Sequence, residues 1–243
     1  MRLAWNHKAA KYALATAAIL AALMIFMPLR AGLSMALPAN SSITARAAAG
    51  TIWDGHLAGI KIGQVAIGDM DLGLAFWPLW TGRAEFHFAP MENGTAQPMN
   101  GRIGTVMGGQ YVRELNGSLP LDGVDARLPL SHLEMTEFSV AFDSGSCRRA
   151  SGTVRLILKP GGLDALGLNN GFLGQAKCDQ NALLLPLVSQ SSNERADIRL
   201  LADGSYTAAI TIQNDTPEIG PALSAAGFTP IAEGYRMIIK GRL

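Results

Sequence analysis

The sequence predicts a mainly β fold class: an N-terminal transmembrane helix followed by a strongly twisted, mainly antiparallel β-sheet with few short helices. Three observations carry this expectation. One uncharged run, Tyr12 to Leu29, stands near the N-terminus; apolar residues elsewhere recur at every second position; and turn-forming pairs such as Asp54-Gly55 and Asp203-Gly204 punctuate those runs.

The uncharged run comes first. At about 1.5 Å rise per residue it gives roughly 27 Å of helix, close to the roughly 30 Å hydrocarbon thickness of a bilayer. Arg2, Lys8 and Lys11 precede it and only Arg30 and Arg46 follow nearby, so the basic-residue bias sets the N-terminus in the cytoplasm and the body of the chain outside it. A cleaved signal peptide, processed near Ser34-Met35-Ala36, is the other reading, and it exports the same body. Ala13, Ala17 and Ala21 recur every four residues and line one helix face, on which the span could meet its own copy or a partner's span. The expected organisation is a cytoplasmic segment 1–11, a membrane anchor 12–29, a connecting segment 30–49 and one exported β-rich domain 50–243.

That domain opens with Gly50, Thr51, Ile52, Trp53, Asp54, Gly55, His56 and Leu57: a strand, a tryptophan and a tight glycine turn. Trp53 is expected to pack between the first hairpin and the rest of the sheet, and Gly55 to hold the turn. Leu72, Leu74 and Phe76 then alternate with Asp71, Gly73 and Ala75, and Phe86 and Phe88 alternate with Glu85 and His87. Met91 to Gly109 is rich in glycine and reads as a flexible excursion. Val154, Leu156 and Leu158 alternate with Arg155, Ile157 and Lys159, Tyr206, Ala208, Ile210 and Ile212 repeat the period, and Tyr235 to Ile239 closes the series. Asn93-Gly94, Asn116-Gly117 and Asp122-Gly123 supply further turn signals. Two segments depart from strand: Pro160-Gly161-Gly162 with Leu163, Leu166 and Leu168, either a turn of helix or a packed loop, and a short helix opened by Thr216-Pro217 and stopped by Gly227.

Lys and Arg total 20 against 19 Asp and Glu, without a long charge run, which removes the electrostatic footprint of a nucleic-acid binder. A 49% hydrophobic and 16% charged composition excludes disorder as the chain's general state. The two cysteines, Cys147 and Cys178, fall in the exported part, where an oxidising compartment favours a disulfide. Two unpaired buried thiols are the alternative; a metal site would need more ligands than His56, His87 and His132 supply beside them.

No catalytic constellation emerges. Asp69 and Asp71 are two apart and would share one face of a strand, where paired carboxylates hold a cation or move a proton, but Gly68 and Gly73 bracket them as an acidic turn. His56 and His87 read as solvated strand residues, the serines lack a nucleophile elbow, and Gly101, Gly104, Gly108 and Gly109 lack phosphate-cradle spacing. Trp53, Trp77 and Trp80 could stack on a sugar, but at strand positions they read as packing. The expectation is therefore no catalytic, cofactor-binding or metal residue, and no cofactor.

The block Gly50, Thr51, Trp53, Gly55 and Leu57 resembles the opening of the domain in the bacterial type II secretion system protein N family. In order along the chain, Leu72 to Arg83, Leu115 to Leu121, Asp203 to Tyr206, Thr216 to Gly227 and Glu233 to Arg236 before Gly241 are similar to further elements of that family. Asp54, where a small Ser is commoner, and Pro78 with Trp80 depart from it. The resemblance implies a non-catalytic, single-pass protein of the bacterial inner membrane with a periplasmic β domain, which supports assembly or stability of the export apparatus and contacts its other inner-membrane components. The competing expectation is a lipid-handling protein like the AsmA-like proteins, whose sheet would shield acyl chains in an apolar groove.

Overall fold

The computed structural model describes residues 7–36, 43–63, 65–91, 98–121, 130–159, 171–213, 220–225 and 227–242. Two helices, α1 (His7–Ile25) and α2 (Leu29–Ala36), precede the sheet. Its first half comprises β1 (Ile43–Thr44), β2 (Ala47–Gly50), β3 (Gly55–Ile62), β4 (Val65–Leu74), β5 (Ala84–Pro90), β6 (Met99–Val106), β7 (Gly109–Pro120) and β8 (Leu130–Asp143), with the single-turn α3 (Phe76–Leu79) between β4 and β5. The second half comprises β9 (Ser146–Leu158), β10 (Phe172–Gln175), β11 (Lys177–Asp179), β12 (Ala182–Ser189), β13 (Glu194–Leu200), β14 (Ser205–Ile212), β15 (Thr229–Ile231) and β16 (Gly234–Arg242), with α4 (Gly220–Ala225) before β15.

All of these strands join one antiparallel sheet of 16 strands, in the order β1-β3-β4-β5-β6-β7-β8-β9-β10-β12-β13-β14-β16-β15, with β2 also on β3 and β11 also on β12. Strands that follow one another in sequence pair with one another almost throughout, as short turns dictate. The mainly β, antiparallel expectation with few helices holds. One face carries the core: Leu57, Ile67, Met70, Phe138, Val154, Leu187, Ile212 and Met237 belong to a single buried cluster that also takes in Leu29 and Leu223.

Period two is reset inside the longest strands. On β8, Met135, Phe138, Val140 and Phe142 are all buried, a spacing of three and then two that no regular strand gives. Glu137 (φ 51°) forms the bulge between Met135 and Phe138, and Glu114 (φ 52°) forms its neighbour on β7. Each is tied across the pair: Glu137 N–H donates to Asn116 Oδ1 at 2.7 Å, and Glu114 N–H to Ser139 Oγ at 3.0 Å. Bulges bend a strand and deepen its twist, which lets a long meander curl over one core.

Several expectations need correction. Asn116-Gly117 is not a hairpin turn but lies within β7, beside a register shift. Asp203-Gly204 does turn the chain, from β13 into β14, with Gly204 at φ 83°. The excursion expected over Met91 to Gly109 contains β6. Phe76 is not the last strand residue of its run but opens α3, because Pro78 cannot donate to a ladder. On β5 the two polar positions part company: Glu85 is buried and His87 exposed, while Phe88 packs against the core as the alternation expects. The helix before Gly227 is present as α4, and Gly227 (φ 93°) ends it. Asn93-Gly94, Asp122-Gly123, Pro160 to Leu168 and Thr216-Pro217 lie outside the described residues.

The N-terminal run is divided. Its helix begins at His7 and ends at Ile25, ahead of Pro28, and Leu29 is buried in the domain core at 1% exposure. Among the described residues no helix is both long and apolar enough to cross a membrane. The expected anchor 12–29 thus gives up its last residues to the domain, and the expected connecting segment 30–49 carries α2, β1 and β2. Ala13 and Ala17 are exposed on α1; the side chain of Ala21 lies outside the described residues.

Candidate functional site at the helix–sheet junction

The Gly-Thr-Ile-Trp-Asp-Gly block is where the N-terminal helices meet the sheet. Ile52 N–H donates to the Met27 carbonyl oxygen at 3.1 Å, and Pro28 bridges Thr51. The Trp53 indole N–H donates to the Met24 carbonyl oxygen at 3.0 Å, an acceptor in the last turn of α1 that otherwise takes only a long 3.5 Å bond from Met27 N–H. Arg30 Nε binds the Ala48 carbonyl oxygen at 2.8 Å from the first turn of α2. Only Phe26, Met27 and Pro28 separate the end of α1 from Leu29 in the core.

Each motif residue has a physical reason to be there. Gly50 sits at φ 81°, and a Cβ on it would stand 2.5 Å from the Asp54 carbonyl oxygen. Thr51 closes the turn: its N–H donates to the Asp54 carbonyl oxygen at 2.9 Å, and its Oγ1 accepts from Asp54 N–H at 3.2 Å. Gly55 leaves room for Leu29, since a Cβ there would lie 2.6 Å from Leu29 Cδ2 and 2.7 Å from the Thr51 carbonyl oxygen. Leu57 is buried. Trp53 does not sit between the first hairpin and the sheet: it is half-buried, pinned to α1 on one side and packed against Phe76 on the other, with ring centroids 6.0 Å apart.

From Trp53 an aromatic cluster runs outward. Phe76 packs edge-on against Trp77 (5.9 Å) and Trp80 (6.3 Å), and these three are 52%, 80% and 77% exposed. Leu74 N–H on the Ile52 carbonyl oxygen (2.8 Å) and Ala75 N–H on the Glu85 carbonyl oxygen (2.7 Å) fix the strand that delivers α3 to this corner. The sequence gives Trp77 and Trp80 as packing residues; the structure turns them outward. The Phe-Trp-Pro-Leu-Trp string itself was the available signal, because its proline breaks the strand period that would have buried every second ring.

The other candidates fall elsewhere. Asp71 Oδ1 pairs with His56 Nδ1 at 2.5 Å, and this bond, then the carboxylate's charge, raises the His56 pKa. Asp69 Oδ1 accepts Gly59 N–H at 2.7 Å, so both carboxylates serve β3–β4 pairing instead of forming an acidic turn. His87 is exposed on β5, and His132 lies beside Ser131 and Glu134. Buried Glu85, which the alternation puts on the polar side of its strand, accepts the Tyr111 hydroxyl at 2.9 Å between Arg102 and Arg113, and burial together with that bond raises the Tyr111 pKa. Buried Glu194 accepts the hydroxyls of Ser189 and Ser191. Cys147 and Cys178 are joined, Cα atoms 5.5 Å apart, which links β9 to β11. Among the described residues no three His, Cys, Asp or Glu side chains gather as a metal site. An open cavity of about 400 Å³ is lined by Arg195, Asp197, Glu233 and Arg236 among others, and a second of about 330 Å³ by Arg155, Phe172, Leu173 and Ser189 among others.

The family model described as type II secretion system, protein N, matches residues 41–238 of the chain. No curated protein and no solved structure matches it.

Proposed function

Because the chain belongs to the type II secretion system protein N family, we propose that this secretion component does its work by contact: a membrane-held, non-catalytic part that supports assembly or stability of the export apparatus. The observation that carries the membrane part of this reading is α1. Its Tyr12, Leu14, Ile19, Leu23 and Met24 side chains are all more than 60% exposed, and a helix apolar on every side needs an apolar surrounding. In this reading the surrounding is the bacterial inner membrane, entered by a single span with the N-terminus in the cytoplasm and the sheet in the periplasm. Lys8 and Lys11 at its start agree with that orientation. The uncharged part of α1, Tyr12–Ile25, supplies only about 21 Å at about 1.5 Å per residue, so Lys11 reaches back to the headgroups and the bilayer thins around the helix.

Partners are other inner-membrane components of the apparatus or a second copy of the chain, met through the domain or through the Ala13, Ala17 and Ala21 face. A strain lacking the gene, complemented with the full chain, tests this. Export of the apparatus's substrates should fail without the gene and return with the parent and equally with Asp69→Asn, Asp71→Asn and His56→Gln. One of those variants losing export at normal protein level would overturn the non-catalytic reading, and export unaffected by the deletion would overturn the supporting role. Stoichiometric phospholipid in organic extracts of the purified protein would favour lipid handling instead.

A further inference from the structure

We propose that the aromatic corner formed by Phe76, Trp77 and Trp80 lies in the headgroup layer of the same membrane that holds α1, so that the sheet is seated on the bilayer surface and not held clear of it. This inference rests on the membrane anchoring of α1 and adds a second, independent contact with lipid.

Four observations converge on a lipid surface as the occupant. The first is position: Trp53 binds the last turn of α1 through the Met24 carbonyl oxygen and touches Phe76, so the corner stands where α1 leaves its apolar surrounding. The second is tether length. Three residues separate Ile25 from the buried Leu29, and Pro28 among them already bridges Thr51, so no slack lets the junction move away from the helix end. The third is chemistry. Trp77 and Trp80 expose about four fifths of their surface, and tryptophan, with an apolar body and one N–H, is the residue that concentrates at the boundary between hydrocarbon and water. The fourth is charge: Arg83, exposed directly after the corner, complements anionic headgroups, and the segment 76–83 contains no acidic residue to oppose them. The short apolar length of α1 acts in the same direction, because a helix shorter than the hydrocarbon layer draws its flanks toward the interface.

The test uses the full chain reconstituted in phosphatidylethanolamine and phosphatidylglycerol vesicles, beside a Trp77→Phe, Trp80→Phe double variant. Both rings are largely exposed, so the variant keeps the fold, which circular dichroism verifies. Subtracting the variant's fluorescence from the parent's isolates the emission of these two tryptophans. Lipids brominated on the acyl chain just below the headgroup should quench that emission strongly, lipids brominated near the chain end should quench it less, and aqueous acrylamide should quench it weakly. Flotation of the protein with the vesicles reports the anchor separately. Flotation with difference emission open to acrylamide and untouched by either brominated lipid overturns this inference while leaving the anchor standing; failure to float overturns both.

Discussion

Truncating Leu29 separates the two places this residue could live. As the last residue of a membrane anchor it would face lipid, and Leu29→Ala would barely alter the domain. In the structure it is 1% exposed, with Cδ2 occupying the space that a side chain on Gly55 would have filled. Leu→Ala in a core costs about 2–5 kcal/mol, depending on how well the site collapses. Collapse is hard here, since Gly55 has no side chain to move in and its backbone is fixed by pairing with Gly50 and Leu72. The upper part of the range, about 3–5 kcal/mol, follows. At about 2–4 °C per kcal/mol for a domain of this size, the melting temperature should fall by roughly 6–20 °C. Thermal unfolding of the full chain in mild detergent, followed by the β-sheet circular dichroism signal, measures it. Leu23→Ala, on the 64% exposed part of α1, is the control and should leave the transition in place. A Leu29→Ala melt indistinguishable from the control would refute the placement of Leu29 in the core and return it to the anchor.

Gly55→Ala should destabilise by about 1–3 kcal/mol in the same assay, because the new methyl meets the Thr51 carbonyl oxygen as well as Leu29; an unchanged midpoint would mean that α2 does not dock here. The His56 imidazole should titrate above its ordinary 6.5 in a histidine NMR titration and drop back in Asp71→Asn. Since the folded pKa is the raised one, the stability this pair adds is fully present below pH 6.5 and is lost as pH climbs through the folded value; stability rising over that interval would contradict the pair. Removing the Cys147–Cys178 bond by a double Ser substitution should cost about 3–4 kcal/mol for a loop spanning a sequence separation of 31, and two alkylated thiols in protein isolated without reductant would show that the bond does not form.

The sequence determined the sheet, its antiparallel sense and the ordered string of elements that mark the family, because alternation and turn chemistry are local and survive in a linear reading. The cysteine pair was legible too, since an even count and the expectation of an oxidising compartment point to it without geometry. What only tertiary structure decided is where local patterns are overruled. Leu29 reads as the tail of an apolar run, yet the cavity over Gly55 claims it for the core. Glu85 reads as the polar side of its strand, yet Tyr111 from β7 gives its carboxylate a buried partner. The bulge at Glu137 turns Phe138 inward, out of phase with Met135, and depends on Asn116 from the neighbouring strand. The place of the Phe76, Trp77 and Trp80 corner near the end of α1 depends on Trp53, which binds Met24 on one side and packs on Phe76 on the other, a link between distant segments that no local period encodes.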